Sequence, residues 1–456
     1  MYFRTALVAQ FLIALAKSAS TLDSLTYCLS AASVAVAPSL PIAYNIRLPY
    51  TPLAVAVPTT TAQISSAVKC GAQNGVSVSA KSGGHSYTSS SFGGEDGHLV
   101  INLDRMYAVK VATDGTAKVQ AGARLGHVAT ELYKQGKRAL SHGTCPAVGV
   151  GGHSLHGGHG MVSRTYGLTT DWIKGATVVL ANGTITYCSA TERPNLFWAL
   201  RGAGSSMVIV AELDFNTFSA PDQVTYFDIS LVWDAKKAPQ VLLDAQEFAK
   251  GMPAELTMAA SFNKNGYYLN GAYVGGQTAF QNAVQPLLAK LGVKVSSSKT
   301  HENFYASSIT TPSLAKSQLE SLVSAIEKTG FATTRSWFLH MNFHGGDYSA
   351  ITRPKPTDTA YVHRDKMLLF QLKDSVPQSQ QYPSEGLAFL RGLRESISKG
   401  LASSEWGMYA NYPDSEIGSD APRLYWGNNL RRLEWVKANY DPNNVFRDAQ
   451  SIKPAV

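Results

Sequence analysis

Charge is scarce in this chain. Asp, Glu, Lys and Arg together make up 16% of 456 residues, and the net charge of +8 is scattered rather than clustered. A nucleic-acid surface needs grouped cations, so no nucleic-acid partner is expected. Beyond the N-terminus no apolar run reaches the ~18 residues that a membrane span requires, so no membrane partner is expected either. Cysteine is rare too, with four residues at positions 28, 70, 145 and 188. No internal repeat and no low-complexity tract occurs. What remains is a globular composition with 45% hydrophobic residues, long enough for two or three domains.

The N-terminus has the form of a secretory signal. Met1-Tyr2-Phe3-Arg4 carries one positive charge, Thr5–Ala16 is an apolar core, and Ser18-Ala19-Ser20 offers small residues for cleavage. The expectation is a signal peptide over 1–20 and a secreted, extracellular, soluble monomer. In an oxidising compartment cysteines pair, and four allow three connectivities. If Cys145 is engaged by a cofactor, Cys28–Cys70 is the natural bond and Cys188 stays free or buried. Asn182-Gly183-Thr184 is the one N-x-[ST] sequon, at an expected type I′ hairpin turn suited to a glycan.

Glycine is concentrated instead of spread. Eight glycines lie between Gly143 and Gly167. Neither a helix nor a strand benefits from so many, because each costs roughly 0.5–1 kcal/mol there. They suit backbone that turns sharply or approaches a large flat ligand closely. A second glycine turn, Ala80-Lys81-Ser82-Gly83-Gly84-His85-Ser86-Tyr87, lies upstream. The two read together as one cofactor cradle, with Cys145 at its mouth. A strand at 53–58, a helix at 62–74 and a strand at 76–80 lead into the first turn, an arrangement that holds phosphates on backbone N–H groups.

Further along, strands are expected at 99–103, 117–121, 176–180, 184–188 and 209–215, a helix at 126–135, and a glycine loop at 201–206. From about 222 glycine falls and amphipathic helices alternate with strands. Helices are expected at 236–250, 277–291, 313–328 and 385–398, and strands at 224–232, within 256–274, at 338–343 and at 366–372. This is an α+β pattern with an antiparallel sheet. A single helix at 425–440 stops at Asp441-Pro442-Asn443-Asn444.

Five stretches in order then carry a resemblance: Ser82–Tyr87, Ser141–Gly149, Leu196-Phe197-Trp198, Tyr409-Ala410-Asn411-Tyr412 and Tyr440-Asp441-Pro442. The chain resembles secreted FAD-linked oxidases of the berberine-bridge type, within the vanillyl-alcohol-oxidase superfamily, and among them the fungal oligosaccharide oxidases. The resemblance implies a two-subdomain FAD-binding domain at 21–220, an antiparallel-sheet substrate domain covered by helices at 221–408, and a C-terminal segment at 409–456 returning to the FAD domain. It implies bicovalent FAD on His85 and Cys145, cradled by Ser82, Gly83, Gly84, Ser86, Gly143, Val148, Gly149, Gly151, Gly152, His153 and Gly157. An imidazole or thiolate can attack an electron-poor flavin ring, and such links favour hydride uptake. Two other readings stand beside it: Cys145 as half of a disulfide with Cys188, and a zinc site from Cys145, His153, His156 and His159.

The resemblance also implies oxidation of a reducing-end C1 hydroxyl to a lactone, with O₂ reduced to H₂O₂ and an oligosaccharide as partner. Tyr412 stands at the position of the catalytic base. The relatives' assisting aspartate is replaced by Asn342, which cannot accept a proton. His340, two residues earlier on the same strand face, is the candidate to take part of that role. Tyr87 and Phe338 are expected to contact the sugar. Val148 is the small, oxidase-like residue at the position tied to oxygen access. A secondary-metabolite oxidase or cyclase acting on an aromatic or alkaloid alcohol, an oligosaccharide dehydrogenase, and a silent flavin-binding protein remain as alternatives.

Overall fold

The computed structural model describes residues 20–38, 42–291 and 303–455. The expected signal peptide lies outside them except for Ser20, which opens a helix over 20–31.

Strands β1 (Ala54–Val57), β2 (Val78–Lys81) and β3 (Leu99–Asn102) form a parallel sheet in the order β1–β3–β2, with Ala35–Val36 antiparallel on its β1 edge. The helix Thr61–Gln73 connects β1 to β2. Thr60 caps it, its side chain accepting from the Gln63 N–H, and Ile64, Ala67 and Val68 bury its apolar face. Cys70 on this helix bonds Cys28, with a Cα–Cα distance of 5.8 Å. Cys145 and Cys188 are free, which removes the reading that pairs them. The bridge closes a loop with a sequence separation of 42. Cys28→Ser with Cys70→Ser is therefore expected to lower unfolding stability by about 2–4 kcal/mol, measured by denaturant melts.

A second, antiparallel sheet contains β4 (Val109–Val111), β5 (Ala117–Gln120), β6 (Ile173–Val179), β7 (Ile185–Ser189) and β8 (Ile209–Phe215), ordered β4–β5–β8–β6–β7. Its β6–β7 hairpin differs from the expected type I′ turn. Gly183 N–H donates to Leu180 O at 2.8 Å, so Ala181 and Asn182 are the central residues, and the positive φ (+80°) falls on Gly183 alone. Asn182 and Thr184 are exposed there.

The third sheet has six antiparallel strands: β9 (Val224–Leu231), β10 (Leu256–Asn263), β11 (Gly266–Val274), β12 (Asn303–Thr311), β13 (Ser336–Phe343) and β14 (Leu368–Val376), ordered β9–β11–β10–β13–β14–β12. Trp337, Leu339, Met341 and Phe343 of β13 share a core with Leu242, Leu319, Leu322 and Leu390 from three helices. The alternate residues Phe338, His340 and Asn342 are half-buried and turn to the other face. β12 was not expected. Its sequence is largely polar, yet all nine residues are buried. Tertiary partners make that possible: Ser307 donates to Asp414 and Ser308 to the Tyr412 carbonyl.

The C-terminal segment returns to the first core through Leu433, Val436, Phe446 and Ile452. The expected helix at 425–440 is broken at Gly427, whose φ of +46° ends Ala421–Trp426 before Leu430–Tyr440 begins. Lys437, fully buried, explains the Asp441-Pro442 motif physically. Its ammonium donates to Asp441, Ser206 O and Phe446 O, each at 2.6 Å, and Asp441 accepts from the Val445 and Phe446 N–H groups.

Candidate active site

Two glycines press the two cradle turns together. A Cβ on Gly149 would lie 2.0 Å from the Gly83 nitrogen, and one on Gly83 would lie 2.2 Å from the Gly149 nitrogen. Only glycine at both positions allows this contact. Ser82 donates to Ala121 O behind it. The glycine stretch is not irregular throughout, as its composition suggested. Val150–Leu155 and Ser163–Tyr166 are short helices. The loop at 201–206 is likewise partly helical, with a kink at Arg201 and Gly202.

These turns open onto a cavity of about 530 Å³. Ser82, Gly83, Gly84, His85, Ser86 and Tyr87 line it from one side, and Gly143, Cys145, Val148, Gly149, Gly151, Gly152 and His153 from another. Phe338, His340 and Asn342 of β13 and Tyr412 complete the same wall. Gly157 is the exception. It is off the wall, and a Cβ there would meet the rings of Tyr361 and Tyr409 at 3.0 Å. Its φ of +115° turns the chain behind Tyr409. Gly152 lines the cavity and has nothing within 4 Å of its missing side chain, so backbone is left open to a ligand there. Ser91 Oγ and Thr257 Oγ1 on the wall are buried without a protein partner, as groups awaiting a polar ligand would be. A glycine-lined cradle, a free thiol, an imidazole and orphaned polar atoms suit a large flat cofactor with a polar tail.

His85 stacks on Tyr44 with ring centroids 4.0 Å apart. His153 serves the cradle indirectly: its Nε2 accepts from Gly143 N–H at 3.0 Å, which holds the start of the Cys145 loop. That bond requires a neutral ring, and burial drives the His153 pKa down to about 3. Burial likewise lowers His156 and His159 to about 4. Among the described residues no group of three His, Cys, Asp or Glu could hold a metal ion. These rings have folded-state pKa values below the ordinary 6.5, so the stability they contribute is present above pH 6.5 and is lost as the pH falls towards about 4. Thermal melts across that range are expected to fall steeply on the acid side. Cys188 is inert by comparison, buried with its thiol pushed up to about 12.

Tyr87 and Tyr412 face each other, centroids 6.0 Å apart and rings 11° from parallel. Burial raises both phenols above their ordinary pKa, and Tyr409 raises Tyr412 further. Asn342 does not bond Tyr412. Its amide N–H donates to Leu369 O at 3.0 Å across β13–β14, which leaves its oxygen to the cavity. His340 packs against Phe338 at 4.5 Å.

Gln371 was missed by sequence reasoning. It sits opposite His340 in the β13–β14 register, lines the cavity, and donates to Tyr87 Oη at 2.8 Å. Its one signal was a polar residue inside Leu368-Leu369-Phe370-Gln371-Leu372. Asn270 on β11 also lines the cavity, its oxygen taken by Ser261.

Known proteins match this chain over nearly its whole length. Residues 52–189 match the model of an FAD binding domain, and 408–453 that of berberine and berberine-like proteins. The chitooligosaccharide oxidase of Gibberella zeae is 56% identical over 439 residues, covering 90% of this chain and 89% of the relative. The FAD-linked oxidoreductase dpmaF of Metarhizium anisopliae is 51% identical, covering 95% and 92%. A solved glucooligosaccharide oxidase from Acremonium strictum, described with a 6-S-cysteinyl, 8α-N1-histidyl FAD, superposes with a TM-score of 0.91 at 39% identity, covering 95% of this chain and all of that one.

Proposed function

The chain belongs to the berberine-bridge-like family of FAD-linked oxidoreductases, and from that premise we propose that it oxidises the reducing-end C1 hydroxyl of an oligosaccharide to a lactone, with O₂ reduced to H₂O₂. One observation carries the reading: the candidate attachment pair, His85 and Cys145, shares a single cavity with Tyr412 and the polar face of β13. FAD held by His85 and Cys145 would take the hydride from C1 and hand its electrons to O₂.

The chain's own residues orient the sugar and manage its proton. Tyr87, held by Gln371, and Phe338 offer ring faces to a pyranose. Tyr412 takes the C1 hydroxyl proton. Asn342 offers the sugar an acceptor oxygen and no proton-accepting group. His340 on the same face supplies the titrating partner that the missing carboxylate would have been. Val148 on the wall leaves room for O₂ at the Cys145 side.

No helix among the described residues is long and apolar enough to cross a membrane, and the N-terminal pattern and the disulfide support a secreted enzyme.

A screen of cello-, xylo- and chito-oligomers for H₂O₂ release, paired with anaerobic flavin bleaching, tests the reading. Bleaching only by aromatic alcohols would make this a secondary-metabolite oxidase. Bleaching by oligomers without peroxide in air would make it a dehydrogenase. His340→Gln is expected to remove the imidazole limb from the pH–rate profile, where activity falls as the ring protonates. An unchanged profile would limit His340 to sugar contact.

A further inference from the structure

Among the described residues no group hydrogen-bonds the Tyr412 phenol, so nothing at its tip sets where it points. Its ring packs edge-on against Tyr409 and near-parallel to Tyr87, and the rest of its placement comes through the chain. Residues 407–412 run along the free edge of β12, the last strand of its sheet. Thr310 and Gly407 exchange backbone hydrogen bonds, and the Ser308 hydroxyl accepts from Tyr409 N–H and donates to Tyr412 O, both at 3.0 Å. Two residues past Tyr412, across Pro413, stands the fully buried Asp414. Its Oδ1 accepts from Tyr305 Oη at 2.6 Å and from Glu416 N–H at 2.8 Å. Its Oδ2 accepts from Ser307 Oγ at 2.7 Å and from Arg394 on the helix Ser384–Ser398. A carboxylate offers about four acceptor sites, and here all are taken. The Asp414 backbone is held as well, its N–H by Tyr425 Oη at 3.1 Å and its carbonyl by Gln450. Tyr305 and Ser307 lie on one face of β12 and Ser308 on the other, so the strand grips the catalytic segment from both sides.

We propose that Asp414 is a positioning residue for the reaction: held by Tyr305, Ser307 and Arg394, it fixes the backbone from which Tyr412 reaches the sugar. It touches neither substrate nor cofactor. Its part in the reaction rests on the reading of Tyr412 as the group that takes the C1 proton. That transfer needs the phenol oxygen within hydrogen-bond reach of the C1 hydroxyl, and a displacement of about 1 Å costs about a hundredfold in rate. Asparagine cannot replace Asp414. Whichever way its amide is turned, an N–H would meet either the Glu416 N–H or the Arg394 guanidinium, and Arg394 would lose its charge partner. The same arrangement accounts for polar residues in a buried strand: two of the serines of β12 are where they hold the catalytic segment. A second buried pair in the same domain differs in what it is attached to. Asp374 accepts from Tyr382 Oη at 2.7 Å and pairs with Arg335 at 2.9 Å, away from residues 407–414. The Arg47 guanidinium lies over the rings of Tyr305 and Tyr382 alike, at 5.3 and 5.5 Å.

Tyr305→Phe and Tyr382→Phe therefore make the same change, one O–H lost from a buried Asp–Arg pair, and only the first reaches the catalytic segment. Tyr305→Phe holoenzyme is expected to slow the limiting rate of anaerobic flavin reduction by an oligosaccharide about tenfold or more, with the sugar Kd unchanged. Tyr382→Phe should keep the wild-type rate. Equal rates in the two variants overturn the proposal. Should Tyr305→Phe not fold, Ser307→Ala removes a donor from Oδ2 instead, and a wild-type reduction rate there overturns it. A second measurement needs no sugar. In holoenzyme with ring-labelled tyrosine, the Tyr412 NMR resonance, assigned by its loss in Tyr412→Phe, should shift in Tyr305→Phe and stay in place in Tyr382→Phe. An unmoved resonance in Tyr305→Phe overturns the proposal. If no oligosaccharide reduces the wild-type flavin, the sugar reading falls and this resonance alone decides whether Asp414 positions Tyr412.

Discussion

Tyr412→Phe is expected to lower kcat for an oligosaccharide by about a hundred- to ten-thousand-fold, the range for removing a positioned acid–base group. KM should change little, because the ring that faces Tyr87 remains. The loss should appear in the anaerobic rate of flavin reduction and not in reoxidation by O₂, which does not need the C1 proton. Burial has raised the Tyr412 phenol, and Asn342 brings no charge to it, so its basicity depends on the groups around it. A variant that reduces its flavin at the wild-type rate would remove Tyr412 from the chemistry.

The second large effect concerns attachment. Wild-type protein should keep its flavin after denaturation. His85→Ala or Cys145→Ser alone should also keep it, because the other bond remains, and each should show an altered flavin spectrum and a lower reduction potential. The double variant should release all of it on acid precipitation. Both side chains line one cavity, and the close contact of Gly83 with Gly149 holds their loops together. Flavin retained by the double variant would show that another residue carries the link. Flavin released from either single variant would show that only one bond exists.

The parts legible in the sequence are local ones. Helix 61–73 is visible because Thr60, Ile64, Ala67 and Val68 follow helical capping and spacing. The two-residue alternation of β13 is enough to put Phe338, His340 and Asn342 on one face. The Cys28–Cys70 bond follows once Cys145 is set aside for the cofactor. Features that fail depend on distant partners. No strand is expected at the largely polar β12, and only Asp414 and the 409–412 turn make its serines acceptable in a buried strand. Gly157 reads as one more cradle glycine, and only the Tyr361 and Tyr409 rings show that it turns behind the wall.

Cradle and catalytic face divide along the same line. Glycine density and the positions of His85 and Cys145 identify the cofactor site, because close backbone approach is a property of residue type and spacing. What the amides do with their hydrogens is decided only in three dimensions. Asn342 spends its N–H on Leu369, Gln371 spends its own on Tyr87, and Asn411 spends both of its hydrogens on His153 O and Tyr409. Asn411 lies two residues from Tyr409 in the chain, yet its orientation is set by the carbonyl of His153. A hydrogen bond has direction, and the direction of a side chain's last free donor or acceptor depends on every partner that folding brings to it.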